Sequence, residues 1–290
     1  METNKVYKNV SLTKFNSWKV GGKAENFVIC SDINFLCQLI KNKKIERPIK
    51  FIGLGSNILI RDNGVKGTTI VMHKGLNNFF KEEELFYSEA GLSCSKFSKL
   101  IAKEGHSGSA FLSGIPGTIG GALAMNAGCY GSEIWSFVKK VKMINADGDL
   151  VERNPNDFKV GYRKIQKKNE AENFVGAWFS FPKGKKLEAE KSIRKLLSHR
   201  KSTQPLSWPS AGSTFKNPDN NHAAKLIEDC GLKGFKIGDA KISEKHANFI
   251  INLGAARAKD IEDLIKHIKK IVFRETKIKL IPEVEIIGDV

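Results

Sequence analysis

A glycine-rich run at residues 112–128 constrains the fold of this chain more than any other feature. It reads LSGIPGTIGGALAMNAG, with five glycines and one proline among small and apolar residues. Because glycine has no Cβ, its backbone turns where other residues cannot and lets another surface come close. Successive exposed N–H groups in such a run form a concave anion site. The run therefore predicts backbone wrapped against a large phosphate-bearing cofactor, and a buried turn between strands is the alternative.

Length and composition indicate a globular protein of two or three domains. The chain has 290 residues, of which 41% are hydrophobic and 27% charged, enough to bury a sizeable core. No apolar run approaches the roughly 20 residues of a membrane helix, and the polar N-terminus lacks the apolar stretch of a signal peptide. We expect a cytoplasmic protein without membrane insertion.

The cysteines and histidines do not form a metal-binding pattern. The five cysteines have no C-x-x-C spacing, and the six histidines are scattered along the chain. Reduced thiols are expected, with neither disulfides nor a structural metal.

The net charge of +17 suggests a polyanionic partner, either nucleic acid or phosphorylated small molecules. Lysine outnumbers arginine by 40 to 8, and arginine is the residue that reads phosphate and guanine bidentately. We therefore expect a solvated lysine-rich surface that attracts anionic substrates, and no nucleic-acid partner.

Periodicity and turn residues predict a mixed α+β chain. Pro205 and Pro209 mark a domain boundary. Strands are predicted at 49–53, 57–60, 69–72, 174–181, 247–252 and 278–287, a hairpin at 137–152 turning at 145–148, and helices at 94–104, 185–201, 223–230 and 261–272.

A second glycine loop, Gly53-Leu54-Gly55-Ser56-Asn57, directly follows a predicted strand. A Rossmann fingerprint needs G-x-G-x-x-G opening a helix, whereas here Ile58 begins another strand. The loop is either a strand–loop–strand turn that presents N–H groups to a pyrophosphate or a plain β-turn. Together with the glycine-rich run, it favours a flavin or similar dinucleotide.

Three further elements carry candidate chemistry. The stretch 210–218, SAGSTFKNP, is dense in hydrogen-bond donors, and its Ser213 is either a proton donor or a turn hydroxyl. Arg163, after Tyr162, could clamp a substrate carboxylate bidentately or form a surface ion pair. Glu283 lies in an apolar strand, where an acid is a functional candidate unless the strand is an edge.

In order and together, these stretches resemble the UDP-N-acetylenolpyruvoylglucosamine reductase family, in its shorter subtype. The resemblance covers nearly the whole chain, and the glycine-rich run and the SAGSTFKNP element are its most specific motifs. It rests on residues 16–22, 53–57, 112–131, 161–163, 204–205, 210–218, 245–252 and 282–284.

The resemblance implies a two-lobed FAD-binding domain of the vanillyl-alcohol-oxidase type, followed by a smaller α/β substrate-binding domain whose last strand carries Glu283. The lobes are predicted at 1–76 and 77–200, and the substrate domain at 201–290. NADPH would reduce the flavin, and hydride would pass from flavin N5 to C3 of the enolpyruvyl ether of UDP-N-acetylglucosamine. A proton at C2 would complete UDP-N-acetylmuramate for peptidoglycan precursor synthesis, and with it for cell shape and division. A monomer is expected.

The resemblance also assigns roles to individual residues. Ser213 would donate the proton, while Arg163 and Glu283 would stabilise the enol-like intermediate. The substrate would contact Tyr162, Gln204, Lys216 and Asn217. The cofactor would contact Gly53, Gly55, Ser56, Asn57, Gly114, Pro116, Gly117, Thr118, Gly120, Gly121, Asn126 and Gly128.

Two other functions stay open on the residues alone. One is a related flavin oxidase of another alcohol or sugar, for which His106 or Cys129 could hold a covalent flavin. The other is a basic nucleic-acid-binding protein, although no aromatic-rich recognition motif accompanies the charge.

Overall fold

The computed structural model describes residues 1–290. None of its helices is both long and apolar enough to cross a membrane. The α-helices are α1 (Ile33–Lys41), α2 (Cys94–Lys103), α3 (Ile119–Met125), α4 (Lys186–Thr203), α5 (Ala223–Asp229) and α6 (Ala258–Thr276). The strands are β1 (Val6–Ser11), β2 (Lys23–Ile29), β3 (Ile49–Ile52), β4 (Ile58–Ile60), β5 (Val65–Val71), β6 (Phe79–Glu82), β7 (Leu85–Glu89), β8 (Gly128–Cys129), β9 (Ser132–Glu133), β10 (Val138–Ile144), β11 (Leu150–Arg153), β12 (Phe158–Gly161), β13 (Lys164–Lys167), β14 (Asn173–Phe179), β15 (Lys236–Ile237), β16 (Ala240–Ile242), β17 (Ile250–Asn252) and β18 (Glu285–Ile287).

Contacts between Cα atoms divide the chain into two compact units. Unit 1 consists of Met1–Tyr7, Asn26–Leu54 and Gly67–Arg200, and unit 2 of Lys8–Glu25, Gly55–Lys66 and Lys201–Val290. Two segments from the first 76 residues thus belong to the unit that contains residues 201–290. The bounds of the two predicted lobes and of the substrate domain stay predictions.

The main sheet of unit 1 is antiparallel, with strand order β11-β10-β14-β7-β6. The predicted hairpin is confirmed, with β10 pairing β11 from Val141↔Arg153 to Ile144↔Leu150. Helix α2 packs on this sheet, where the ring centroids of Phe97 and Phe179 lie 5.0 Å apart. Its predicted bounds also hold, because Ser93 caps its N-terminus and Gly105, at φ +76°, follows its end.

A second core in unit 1 forms under α1. Its Leu36, Leu39 and Ile40 pack with Ile70 and Met72, in and just after β5. Strand β3 pairs in parallel with β5, from Ile49↔Thr68 to Ile52↔Val71. The strands predicted at 49–53 and 69–72 are therefore confirmed to within a few residues.

Unit 2 is built on α5, α6, the antiparallel sheet β15-β16-β17 and the parallel pair β4–β18. The apolar face predicted for α6 is buried, with Ile261, Leu264, Ile265, Ile268 and Val272 each at most 2% exposed. These side chains pack with Trp18, Leu59 and Phe215 in one core. Burial of a helix face, about 1.5–3 kcal/mol for each large apolar side chain, fixes this helix in place.

The last predicted strand is shorter than its pattern indicates. Residues 278–287 read as one strand, but only Glu285–Ile287 forms β18. Pro282 has no N–H to donate to a ladder, and it makes only an isolated bridge with Phe215. Glu283 therefore precedes the final strand, which corrects its predicted position within it.

Two adjacent threonines in β5 give a test of buried hydroxyl groups. Both are 0% exposed, but Thr68 Oγ1 donates to Glu46 O at 2.8 Å, whereas Thr69 Oγ1 has no hydrogen-bond partner. An unpaired buried hydroxyl costs about 1–3 kcal/mol. We expect Thr69→Val to stabilise the protein by about 1 kcal/mol, raising the thermal midpoint by roughly 2 °C.

The matched control is Thr68→Val, which removes a satisfied hydrogen bond and should destabilise the protein by about 1 kcal/mol. Thermal unfolding of both variants, loaded with FAD, measures the difference. Shifts of the same sign in the two variants would contradict the assignment.

Candidate functional site

The glycine-rich run contains a helix that its sequence does not predict. A 3-10 turn, Ala110–Gly114, precedes α3. Thr118 caps this helix by accepting a hydrogen bond from Gly121 N at 3.4 Å, and Asn126, at φ +47°, ends it. Glycine disfavours helix by about 1 kcal/mol per residue. The glycine pair therefore argues against a helix here, although the cap and the packing of α3 stabilise one.

Gly120 is required by packing inside unit 1. Its N–H donates to Ala90 O at 2.8 Å, and a Cβ built on it would lie 2.8 Å from Ala90 Cβ. This N–H is therefore used within the protein. At Gly120, the close approach expected of a glycine is between α3 and the segment after β7.

The opposite face of α3 is small, apolar and accessible. Gly121 and Ala124 are exposed, Met125 is half-buried, and Pro116 is exposed just before the helix. A Cβ on Gly121 would meet nothing closer than Thr118 Oγ1, at 3.7 Å. Residues at i, i+3 and i+4 share one helix face, so this face is a candidate cradle, at which a large flat group could lie close to the backbone.

The two predicted glycine loops meet at Thr118. A Cβ on Gly53 would lie 2.4 Å from Thr118 Oγ1, so a larger residue there would displace the Thr118 side chain. His73 Nδ1 lies 2.8 Å from Gly53 O, and burial lowers the pKa of this imidazole. Because a carbonyl oxygen only accepts, the neutral ring carries its proton on Nδ1 and fixes the Gly53 peptide.

The second half of the 53–57 loop belongs to unit 2. Gly55 adopts φ +64°, and a Cβ there would lie 2.2 Å from Phe15 O. Asn57 donates through Nδ2 to Glu283 O at 3.0 Å and accepts from Glu285 N at 3.0 Å. The predicted strands on both sides of this loop are confirmed as β3 and β4, and Ser56 is half-buried between these anchors.

Arg163 lies in the turn between β12 and β13, at φ +52°. Its guanidinium donates to Asn126 O at 3.3 Å and to Gly128 O. Asn126 is 0% exposed and donates through Nδ2 to Gly161 O at 3.1 Å and to Glu133 Oε2 at 2.7 Å. The end of the glycine-rich run thus holds the turn that carries the arginine.

Tyr162 lies in the same turn as Arg163. Tyr162 is 50% exposed, and Arg163 Cζ lies 5.2 Å from the centre of its ring.

Gly128 permits the tight β8–β9 hairpin, since a Cβ on it would lie 2.3 Å from Ser132 O. A Cβ on Gly114 would lie 3.2 Å from the ring of Tyr130. Gly117 is buried beside Thr118 and accepts from Cys94 N at 2.9 Å.

His106 and Cys129, the two candidates for a covalent flavin, have packed roles. His106 is 4% exposed and meets the ring of Phe86 edge-on at 4.8 Å. Cys129 Sγ donates to Phe111 O at 3.2 Å. Burial raises the pKa of this thiol to about 11, although the positive charges of Arg163 and Arg200 act to lower it. The thiol is therefore protonated and a poor nucleophile near neutral pH.

Ser213 and Glu283 lie on two segments that run antiparallel in unit 2. Glu283 N donates to Thr214 O at 2.8 Å, and Lys216 N donates to Ile281 O at 2.9 Å. This register places Glu283 opposite Thr214, next to Ser213, and both candidate residues are half-buried. Gly212 starts the segment at φ +75°, a conformation that other residues rarely adopt.

The remaining predicted substrate residues occupy different positions in unit 2. Asn217 Oδ1 accepts from Ala223 N at 3.1 Å and so holds the start of α5. Lys216 is half-buried. Gln204 lines a cleft of about 650 Å³ together with Lys201, Lys241, Lys245 and Trp208.

Three residues that hydrogen-bond to predicted site residues or to the segments that carry them were not themselves predicted as site residues. His73 fixes Gly53, Glu133 accepts from Asn126, and Asn248 bonds to the Ser213 segment. His73 and Glu133 are single residues without a pattern around them. Asn248 lies in the stretch 245–252 that carries the family resemblance, which is the one signal that could have found it.

Known proteins resemble this chain over nearly its full length. Family models match at residues 26–154, as an FAD binding domain, and at 204–287, as the C-terminal domain of UDP-N-acetylenolpyruvoylglucosamine reductase. The reductase of that name from Nitrosomonas eutropha is 45% identical, covering 94% of this chain and 85% of the relative. The one from Coxiella burnetii (strain Dugway 5J108-111) is 42% identical, covering 96% and 94%.

A solved structure agrees with these matches. The UDP-N-acetylenolpyruvylglucosamine reductase from Thermus caldophilus superposes with a TM-score of 0.84 at 30% identity, covering 98% of this chain and 99% of that one. The α+β class and the FAD-binding domain followed by the family's C-terminal domain are thereby confirmed. The chain belongs to the UDP-N-acetylenolpyruvoylglucosamine reductase family and is an FAD-dependent oxidoreductase.

Proposed function

We propose that this protein reduces the enolpyruvyl ether of UDP-N-acetylglucosamine to UDP-N-acetylmuramate, with NADPH as the reductant, in peptidoglycan precursor synthesis. The observation that carries the proposal is the register between the two segments of unit 2, in which Glu283 N donates to Thr214 O beside Ser213. This register supports the proposal because it joins the two family motifs that carry Ser213 and Glu283 on neighbouring backbone segments. We place the enzyme in the cytoplasm, as a monomer that binds no nucleic acid.

FAD, when bound, supplies the hydride chemistry, from N5 to C3 of the enolpyruvyl group. We propose that the exposed face of α3 and the 53–57 loop hold it. The proposed contacts in and beside the start of α3 and the loop before it are Gly53, Pro116, Gly117, Thr118, Gly120 and Gly121. Gly55, Ser56, Asn57, Gly114, Asn126 and Gly128 complete the set of proposed cofactor contacts.

Ser213 is the proposed proton donor to C2. A serine hydroxyl is a weak acid, but a carbanion-like carbon is a strong base, so a correctly placed donor is enough. The side chain has a single heavy-atom torsion, and the backbone of residues 213–216 therefore decides where Oγ lies. The hydrogen bonds to Ile281 and Glu283 fix that backbone.

Arg163 is proposed to neutralise the charge that grows on the substrate carboxylate. Guanidinium groups pair bidentately with carboxylates, and a fixed cation is most effective where charge develops during the reaction. Its bonds to Asn126 O and Gly128 O orient the group before substrate arrives. Glu283 would stabilise the enol-like intermediate together with Arg163.

Substrate binding is proposed for Tyr162, Gln204, Lys216 and Asn217. Tyr162 offers an exposed ring. The cleft beside Gln204 is lined by three lysines and by Glu244, which pairs with Lys241 at 2.6 Å, and this net positive lining suits an anionic nucleotide. The high positive charge of the chain would draw anionic substrates toward it. The lobes 1–76 and 77–200 and the substrate domain 201–290 remain our proposed division of these tasks.

Gly121→Ala tests the proposed FAD cradle. Alanine is favoured over glycine within a helix by roughly 0.5–1 kcal/mol, and its Cβ meets no protein atom closer than 3.7 Å. The FAD-free protein should therefore become slightly more stable, while FAD affinity falls by about tenfold or more because the methyl group fills the cradle. Thermal unfolding and a titration with FAD measure the two effects.

Gly161→Ala is the matched control, since its Cβ would meet nothing closer than Lys164 O at 3.9 Å. FAD affinity should not change in this variant. Equal affinities of the Gly121→Ala variant and the unaltered protein would remove α3 from the proposed cofactor site.

Ser213→Ala tests the chemical proposal by separating the two half-reactions. NADPH should still bleach the visible flavin absorbance at the normal rate, because the first half-reaction needs no proton donor at C2. Reoxidation by the enolpyruvyl substrate should slow by about 100-fold or more, the usual contribution of general acid catalysis. Stopped-flow absorbance follows both phases, and normal turnover in this variant would refute the role of Ser213.

A further inference from the structure

Asn248 is a buried asparagine just before β17, with 3% of its surface exposed. Its side chain is directed entirely to Phe215, two residues after the proposed proton donor. Oδ1 accepts from Phe215 N at 2.9 Å, and Nδ2 donates to Phe215 O at 2.8 Å. One amide side chain thus satisfies both polar groups of one backbone residue.

The main chain of Asn248 adds a third bond to the same segment. Its carbonyl oxygen accepts from Thr214 N at 2.8 Å, which fixes the peptide plane that joins Ser213 to Thr214. On its other side, the segment bonds to residues 281–283 through Thr214 O and Lys216 N. Asn248 therefore takes the place of a neighbouring strand for a segment that has a partner on one side only.

We infer that Asn248 is a positioning residue for proton transfer, holding the 213–215 backbone so that the Ser213 hydroxyl lies where it can reach C2. This inference rests on the proposed function, and it concerns the step in which substrate reoxidises the flavin. Asn248 touches neither reacting atom in this account and acts through Ser213.

The size of the effect follows from how sensitive proton transfer is to distance. A misplacement of about 1 Å can slow a reaction by about 100-fold. Without the amide, Phe215 loses two of its backbone bonds, but its ring stays buried in the core of unit 2 and the bonds to 281–283 remain. The segment should therefore loosen without unfolding.

Asn248→Ala is the first test, with Asn252→Ala as its matched control. Asn252 is also a buried asparagine, 2% exposed, at the end of β17, the strand that begins two residues after Asn248. It donates to Trp18 O at 2.9 Å and accepts from Gly254 N at 2.8 Å and from Ala256 N at 3.1 Å. The two variants should lose similar thermal stability, since each leaves comparable buried backbone groups unpaired.

Only Asn248→Ala should separate the half-reactions. We expect NADPH to reduce the flavin within twofold of the normal rate and substrate to reoxidise it 10- to 100-fold more slowly. The solvent deuterium isotope effect on reoxidation should rise, because proton transfer becomes slower than hydride transfer. A purely structural role would slow both phases together or change neither, as expected for Asn252→Ala.

A double variant tests whether Asn248 acts through Ser213. In the Ser213→Ala background, Asn248→Ala should slow reoxidation no further, since coupled residues are non-additive. The same fold-loss in both backgrounds would overturn the inference, as would equal behaviour of the Asn248 and Asn252 variants. Should Asn248→Ala fail to fold, Asn248→Asp keeps the acceptor for Phe215 N, and the same separation is expected at smaller size.

Failure of the proposed function gives a different result. In that case the unaltered protein, reduced by NADPH, would not be reoxidised by the enolpyruvyl substrate at all. If the unaltered protein turns over and only Ser213→Ala stalls, the function stands and the role of Asn248 is wrong.

Discussion

Hydrogen bonds from buried asparagine side chains hold the irregular backbone on which this structure depends. Asn16, Asn26, Asn126, Asn248 and Asn252 are each at most 6% exposed, and each donates through Nδ2 to a backbone carbonyl oxygen. A loop buried away from water has no ladder partner, yet its N–H and C=O groups must still be satisfied. An amide side chain meets that need because it carries both a donor and an acceptor in a plane, as a peptide does.

This constraint reaches the proposed chemistry through the backbone. Asn126 holds the turn of Arg163 to the glycine-rich run, and Asn248 holds the segment of Ser213. The short Ser213 side chain is placed as accurately as the loop beneath it, whereas the Arg163 guanidinium is also oriented by its own bonds to Asn126 O and Gly128 O. The glycines serve the same end, because Gly53 and Gly120 let buried segments approach more closely than a Cβ would allow.

The sequence predicted the regular elements well and the irregular ones poorly. Amphipathic spacing located α2 and α6, and Asn145-Ala146-Asp147-Gly148 located the β10–β11 turn, because these signals are local. Helix α3 was missed, since the glycine pair argues against a helix and its stabilising contacts, to Ala90 and Leu92, come from distant residues. The strand predicted at 278–287 was too long, because an apolar pattern does not show where a strand stops pairing with its neighbour.

The sequence alone determined the motifs of an FAD-dependent reductase: two glycine loops, a serine in SAGSTFKNP, an arginine after tyrosine and a glutamate after proline. Those motifs are short and local, so their residue types and spacing can be read directly. Only the tertiary structure decided which motifs touch, since the Gly53–Thr118 contact, the Asn126–Arg163 turn and the Ser213–Glu283 register join residues 37 to 70 positions apart. Each of these contacts is set by hydrogen bonds and packing between distant segments, and those interactions exist only once the chain has folded.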